Sequence, residues 1–127
     1  MYEIEFDAAR RLFIVRAEGF WSLGTIAGFS AAALAQGAWA RARHGRYAVL
    51  ADARAFPVQS AEVARAFEML VAKSIALSDA PYAVVLGSML AKMQADRVVN
   101  GPNCRTFLDL AEAEGWLEES WGRQRAA

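Results

Sequence analysis

Two short, almost unbroken apolar runs, YAVLA at residues 47–51 and YAVVL at residues 82–86, constrain the fold of this chain more than anything else in it. A strand with one face in water alternates apolar and polar residues. A strand apolar throughout is covered on both faces, the habit of parallel sheets flanked by helices. Each run leads into a polar connection and then a helical pattern, so the chain reads as alternating strand and helix, an α/β fold.

The flanking segments extend this reading. Residues 2–6 and 12–18 alternate, with a polar link at 7–10, and predict two antiparallel strands. Gly19 breaks the pattern, and Ser22 is placed to cap a long helix running to about Arg43 and closed by Gly45. Leu23, Ile26, Ser30, Ala33, Leu34 and Gly37 share its inward face, with Trp39 nearly opposite. Ser60 opens a second helix with Val63, Phe67, Leu70, Val71 and Ser74 inward and Glu62, Arg65 and Glu68 outward. A third helix is expected over 89–99, stopped by Asn100, Gly101 and Pro102. A last short strand at 104–107 precedes Asp109 and Glu112, a capping-box pair, and a helix facing inward with Leu110, Ala113, Leu117 and Trp121. The order is ββαβαβαβα: a mixed sheet of about five strands covered by about four helices, forming one domain over residues 1–122. Residues 123–127 are expected to be a disordered tail.

Composition narrows the function classes. The 127 residues carry no formal net charge, so no global field draws the chain to nucleic acid or anionic lipid. Arg41, Arg43, His44 and Arg46 are clustered, but at a helix C-terminus, where the macrodipole favours cations, and without an aromatic platform for bases. One cysteine, Cys104, excludes an internal disulfide framework and fits a reducing, cytoplasmic setting. The acidic, alternating N-terminus is unlike a signal peptide. Residues 19–40 lack charge and contain Gly24-x-x-x-Gly28, yet they are mostly Ala, Gly, Ser, Thr and Gln and sit where a crossover helix is needed, so no transmembrane segment is expected.

Few residues point to chemistry. Asp52 ends the first apolar run, and Asp52, Arg54 and Ser60 border the crevice beyond a strand's carboxyl end, where open α/β sheets bind ligands. Asp52 is read either as the acceptor for its own loop or as recognition of a polar ligand. Ser60 is a helix cap, and its exposed position also makes it a phosphorylation candidate. Gly87 and Ser88 at a helix start offer backbone N–H groups to an anion, without the spacing of a phosphate-binding loop. On the third helix Met89, Met93 and Arg97 share one side and Leu90, Gln94 and Val98 another, which suits either a core helix or a ligand channel or protein interface. His44 and Cys104 are the only imidazole and thiol, and no cluster has zinc spacing. Neither a metal, nor a cofactor, nor an enzymatic activity is expected.

The hairpin YEIEFDAARRLFIVRAEGF, the segment LADARAF with Ser60 opening helix two, AVVLGSMLAKMQADR and the closing TFLDLAEAEGWL together resemble the SpoIIAA-like proteins grouped with STAS domains, whose relatives include CRAL-TRIO-type lipid-binding domains. The resemblance runs from Tyr2 to about Leu117. It implies a compact STAS-like α/β module without chemistry of its own. In the anti-sigma-factor antagonists of that group a serine at the start of helix two is phosphorylated, and Ser60 matches its location. The antagonists carry Asp-Ser followed by a small residue and Gly, where this chain reads Val58-Gln59-Ser60-Ala61-Glu62. The expectation is a signalling or binding module that docks a partner protein or small ligand near Asp52 to Ser60, with Gly87, Ser88, Met93 and Arg97 as further contact residues. The alternative is a carrier of a small apolar or acyl ligand between helices two and three. Trp39 and the two-sided third helix add the expectation of a homodimer.

Overall fold

A computed structural model of the chain describes residues 1–99 and 101–126. The elements follow the expected order: β1 (Tyr2–Asp7), β2 (Leu12–Glu18), α1 (Leu23–His44), β3 (Ala48–Ala55), α2 (Ala61–Leu77), β4 (Tyr82–Leu86), α3 (Met89–Ala95), β5 (Cys104–Phe107) and α4 (Leu110–Ala126). The five strands form one mixed sheet in the order β1-β2-β3-β4-β5. β1 runs antiparallel to β2, and every later strand is parallel to its neighbour.

This order decides where the helices go. A right-handed crossover to the adjacent strand, repeated in one direction, lays each connecting helix on the same face. Residues alternating along the strands then divide between two cores. Leu12, Leu50, Ala83, Val85 and Phe107 pack against Ala113, Leu117 and Trp121 of α4 on one face. On the other, Ala17 packs with Ile26 and Phe29 of α1 and with Val63 and Leu70 of α2.

Caps fall where the side chains call for them. Ser22 accepts from the Thr25 N–H, Ser60 from Val63 and Ser88 from Ala91. Asp109 accepts from the Ala111 N–H. Gly45 adopts φ +83°, and its N–H bonds Arg41 O to close α1.

Three boundaries depart from the sequence reading. β3 continues to Ala55 rather than stopping near Ala51, because Ala53 pairs with Leu86 and Ala55 with Glu18 across the sheet; lateral pairing outweighs the weak strand propensity of Ala and Arg. α3 ends at Ala95 instead of 99, since the Arg97 and Val98 N–H groups turn to the carbonyls three residues back. Asn100, part of the expected stop, lies outside the described residues, as does Ala127. The tail expected to be disordered is helical through Ala126. Two things hold it: Gln124 Oε1 accepts from Arg46 at 2.9 Å, and Arg123 and Arg125 suit the C-terminal dipole.

Trp121 anchors α4. Its indole N–H donates to Arg10 O at 2.7 Å, and its ring lies 5.3 Å from the Arg11 guanidinium and 5.7 Å from that of Arg46. The final helix is thereby tied to the β1–β2 turn and to the approach to β3. Trp121→Ala should cost about 3–5 kcal/mol, read as a lowered urea midpoint with the slope unchanged.

Candidate functional site

Between the sheet and its three-helix face lies a cavity of about 250 Å³. Its walls explain why it exists. The sheet contributes Ala17, Ala51 and Ala53, α1 contributes Ala33 and Gly37, α2 contributes Ala64, and α3 contributes Ala91 and Ala95. Protein interiors normally pack to the density of organic crystals. Here methyl groups face methyl groups across the layer, and the helices cannot close the remaining distance. Phe29, Phe67, Leu70, Val71, Val84 and Leu86 fill in around them, and Phe56, Pro57 and Val58 stand at the end of the cavity beyond β3. Pro57 and Val58 are exposed.

One wall is braced by aromatic rings. Trp21 packs on Phe29, Phe56 and Phe67 at centroid separations of 5.0–5.2 Å. Gln59 fastens the neighbouring loop, accepting from the Trp21 N–H at 2.8 Å and donating to Gly19 O and Pro57 O at 3.0 and 2.7 Å. The loop between β3 and α2 is thus joined to the start of α1, which fixes the position of Ser60.

The polar groups on the walls are few: the hydroxyls of Tyr47, Tyr82 and Ser74, the amides of Gln59 and Gln94, and Asp52 at the edge. Burial pushes the Tyr82 hydroxyl up to about 12, against the effect of Ser74 beside it. Burial raises Tyr47 as well. Both hydroxyls remain protonated near neutrality, able to donate and accept hydrogen bonds.

The residues singled out in the sequence take up separate positions. Asp52 lies within β3, on the face that also carries Leu50, so its carboxylate points away from α2 and Ser60. It is held by Arg54, through Nε to Oδ1 and an NH2 group to Oδ2, both at 2.9 Å, with Arg16 Nε 3.8 Å from Oδ2. These bonds from Arg54 hold the Asp52 carboxyl below its ordinary value although burial works the other way. Gly87 supports the backbone. A Cβ there would come within 2.2 Å of Arg54 O, so β3 and β4 approach closely only because residue 87 has no side chain. Ser88 and Ser60 cap helices, and Ser60 is exposed. Met93 is 56 % exposed, as Met89 and Leu90 are to a similar degree, and Arg97 is exposed too. Of α3, it is Ala91, Gln94 and Ala95 that face the cavity.

Cys104 and His44 are set apart from this site. Burial raises the Cys104 thiol, the reverse of an activated thiolate. His44 packs against Phe6 and Trp39. Among the described residues no group of acidic, His and Cys side chains could hold a metal ion, and no helix is long and apolar enough to cross a membrane. The chain matches no model of a known protein family and no curated protein sequence.

Asp52 contributes stability in full above its unfolded value near 3.8 and loses it as pH falls through the lower folded value. Asp52→Asn should therefore be less stable than the parent at pH 6, and the gap should narrow on acidification. Urea denaturation at intervals from about pH 6 down to about pH 2 measures this.

Proposed function

We propose that this chain is a non-enzymatic, STAS-like binding module that holds a small apolar ligand between α2, α3 and the sheet. One observation carries the reading: a cavity of about 250 Å³ walled mostly by Ala, Val, Leu and Phe. An apolar void of about 150 Å³ stays dry and accommodates benzene, so this one suits a somewhat longer occupant, such as a medium-length chain or a substituted ring. The exposed Pro57 and Val58 mark the approach from solvent, beside the crevice where open α/β sheets engage ligands. The non-enzymatic part of the reading draws on the state of the ionisable groups. Two tyrosines stay neutral, Asp52 is matched by Arg54, and the lone thiol is deactivated by burial.

A second reading, docking of a partner protein, is favoured by a different observation. Phe20 is 81 % exposed, and Leu23 and Val58 are about half exposed, on the two segments that Gln59 joins next to the Ser60 cap. Phosphorylation of Ser60 would place a dianion beside these side chains. Self-association belongs to the same reading. Labelling at Ser60 in cell extract with ATP, and a dimer mass by light scattering, are the results that would favour it.

The carrier reading is tested by native mass spectrometry of the purified protein, with organic extraction to identify any adduct, and by thermal melting with medium-chain lipophiles. A bound lipophile or a concentration-dependent rise in Tm is expected. A bare mass with no shift from any probe overturns it. Filling the void should separate stability from binding: Ala51→Ile is expected to add roughly 0.5–2 kcal/mol to the empty protein while abolishing the ligand-induced shift.

A further inference from the structure

We infer that the occupant of this cavity is an uncharged lipophile bearing one hydrogen-bonding group, which is received by the hydroxyls of Tyr47 and Tyr82; this rests on the binding role proposed above. Tyr47 retains only 3 % of its surface. Its hydrogen bonds run through its backbone, N–H to the Ser78 hydroxyl at 3.1 Å and C=O from the same hydroxyl at 2.7 Å. The hydrogen bonds of Tyr47 among the described residues do not run through its own hydroxyl, and Tyr47 lines the cavity. For packing alone a phenylalanine would serve, with no hydroxyl to accommodate. Room has nevertheless been kept for it: a Cβ on Gly37 would lie 2.7 Å from the Tyr47 hydroxyl oxygen.

Tyr82 stands on the adjacent strand, on the same face. Its register partner is Val49, two residues along from Tyr47, and Ser74 of α2 sits beside its hydroxyl. Three hydroxyls thus gather where β3 and β4 begin, while Phe56, Pro57 and Val58 stand beyond the opposite end of β3. An elongated ligand would bury its polar group at the tyrosines and leave its apolar end toward the 56–58 loop.

Charge excludes the commoner fatty ligands. Among the described residues no Lys, Arg or His lines the walls, and Arg41 acts on Tyr47 only from outside them, so a carboxylate or phosphate would enter without a counterion in contact. Asp52, the one acidic residue among the described lining residues, turns its carboxylate to the α4 face, where Arg54 engages it, which leaves no anchor for an amine. An alcohol, phenol, aldehyde, amide or ester meets the hydroxyls without a desolvated charge.

Calorimetry and thermal melting with n-octanol, octanal, octanoate and n-octane, at neutral pH, test the assignment. Octanol and octanal should bind at least tenfold more tightly than octanoate. Tyr47→Phe and Tyr82→Phe should each weaken octanol about threefold to tenfold, the worth of one hydrogen bond, and leave n-octane unchanged. Tyr47→Phe removes no hydrogen bond within the protein, so its melting temperature should stay close to that of the parent. Octanoate binding most tightly, or octanol binding no better than n-octane and insensitive to both substitutions, overturns the inference while leaving an apolar carrier intact. Failure of all four probes, with no co-purified lipophile, overturns the carrier reading and this inference together.

Discussion

The succession of β2, β3, β4 and β5, each laid beside the last in the same direction, is the constraint on which the rest of the molecule depends. Right-handed crossovers leave three helices no choice of side. One face of the sheet is consequently covered by α1, α2 and α3, and the other by the single helix that remains after β5. The two faces meet this inequality differently. α4 serves its face with large side chains, above all Trp121, whose ring and N–H reach the β1–β2 turn. The three-helix face has more covering backbone than it needs, and its sequence answers with alanine and glycine.

That answer has an energetic cost. Small residues along these walls forgo packing contacts that larger ones would make, in a pocket that opens to solvent beside Pro57 and Val58. Larger residues at two or three of the alanines would recover some of those contacts. The proposed ligand role rests on this combination of small apolar walls with tyrosine hydroxyls at one end.

How far the sequence revealed this depends on how local each feature is. Strands that are apolar on both faces, the caps at Ser22, Ser60 and Ser88, and the positive-φ glycine at position 45 are statements about a few neighbouring residues, and they are legible. The cavity is not. Its small residues come from positions as far apart as Ala17 and Ala95 and face one another only once the layers are stacked. Tyr47 and Tyr82 stand at the head of apolar runs, where a tyrosine passes for one more large side chain. The reading of helices two and three as flanking a ligand followed from the odd apolar pattern of the third helix, yet its Met93 and Arg97 point to solvent and its alanines inward. Asp52 and Ser60 are close in sequence, and that closeness alone suggests one crevice. The extension of β3 by lateral pairing puts the carboxylate inside the strand and turns it to the α4 face.

The sheet also has two open edges, and β1, the longer, bears on how copies of this chain meet. Its outer backbone groups could template a strand from another molecule. Along it Glu3 and Glu5 alternate with Tyr2, Ile4 and Phe6, which fold under the helices. Antiparallel pairing of two such edges about Ile4 would set Glu3 of each copy against Glu5 of the other, on the same face, and like charges directly opposed are destabilising. Two alternating acids thus set the hairpin against pairing with its own edge in another copy.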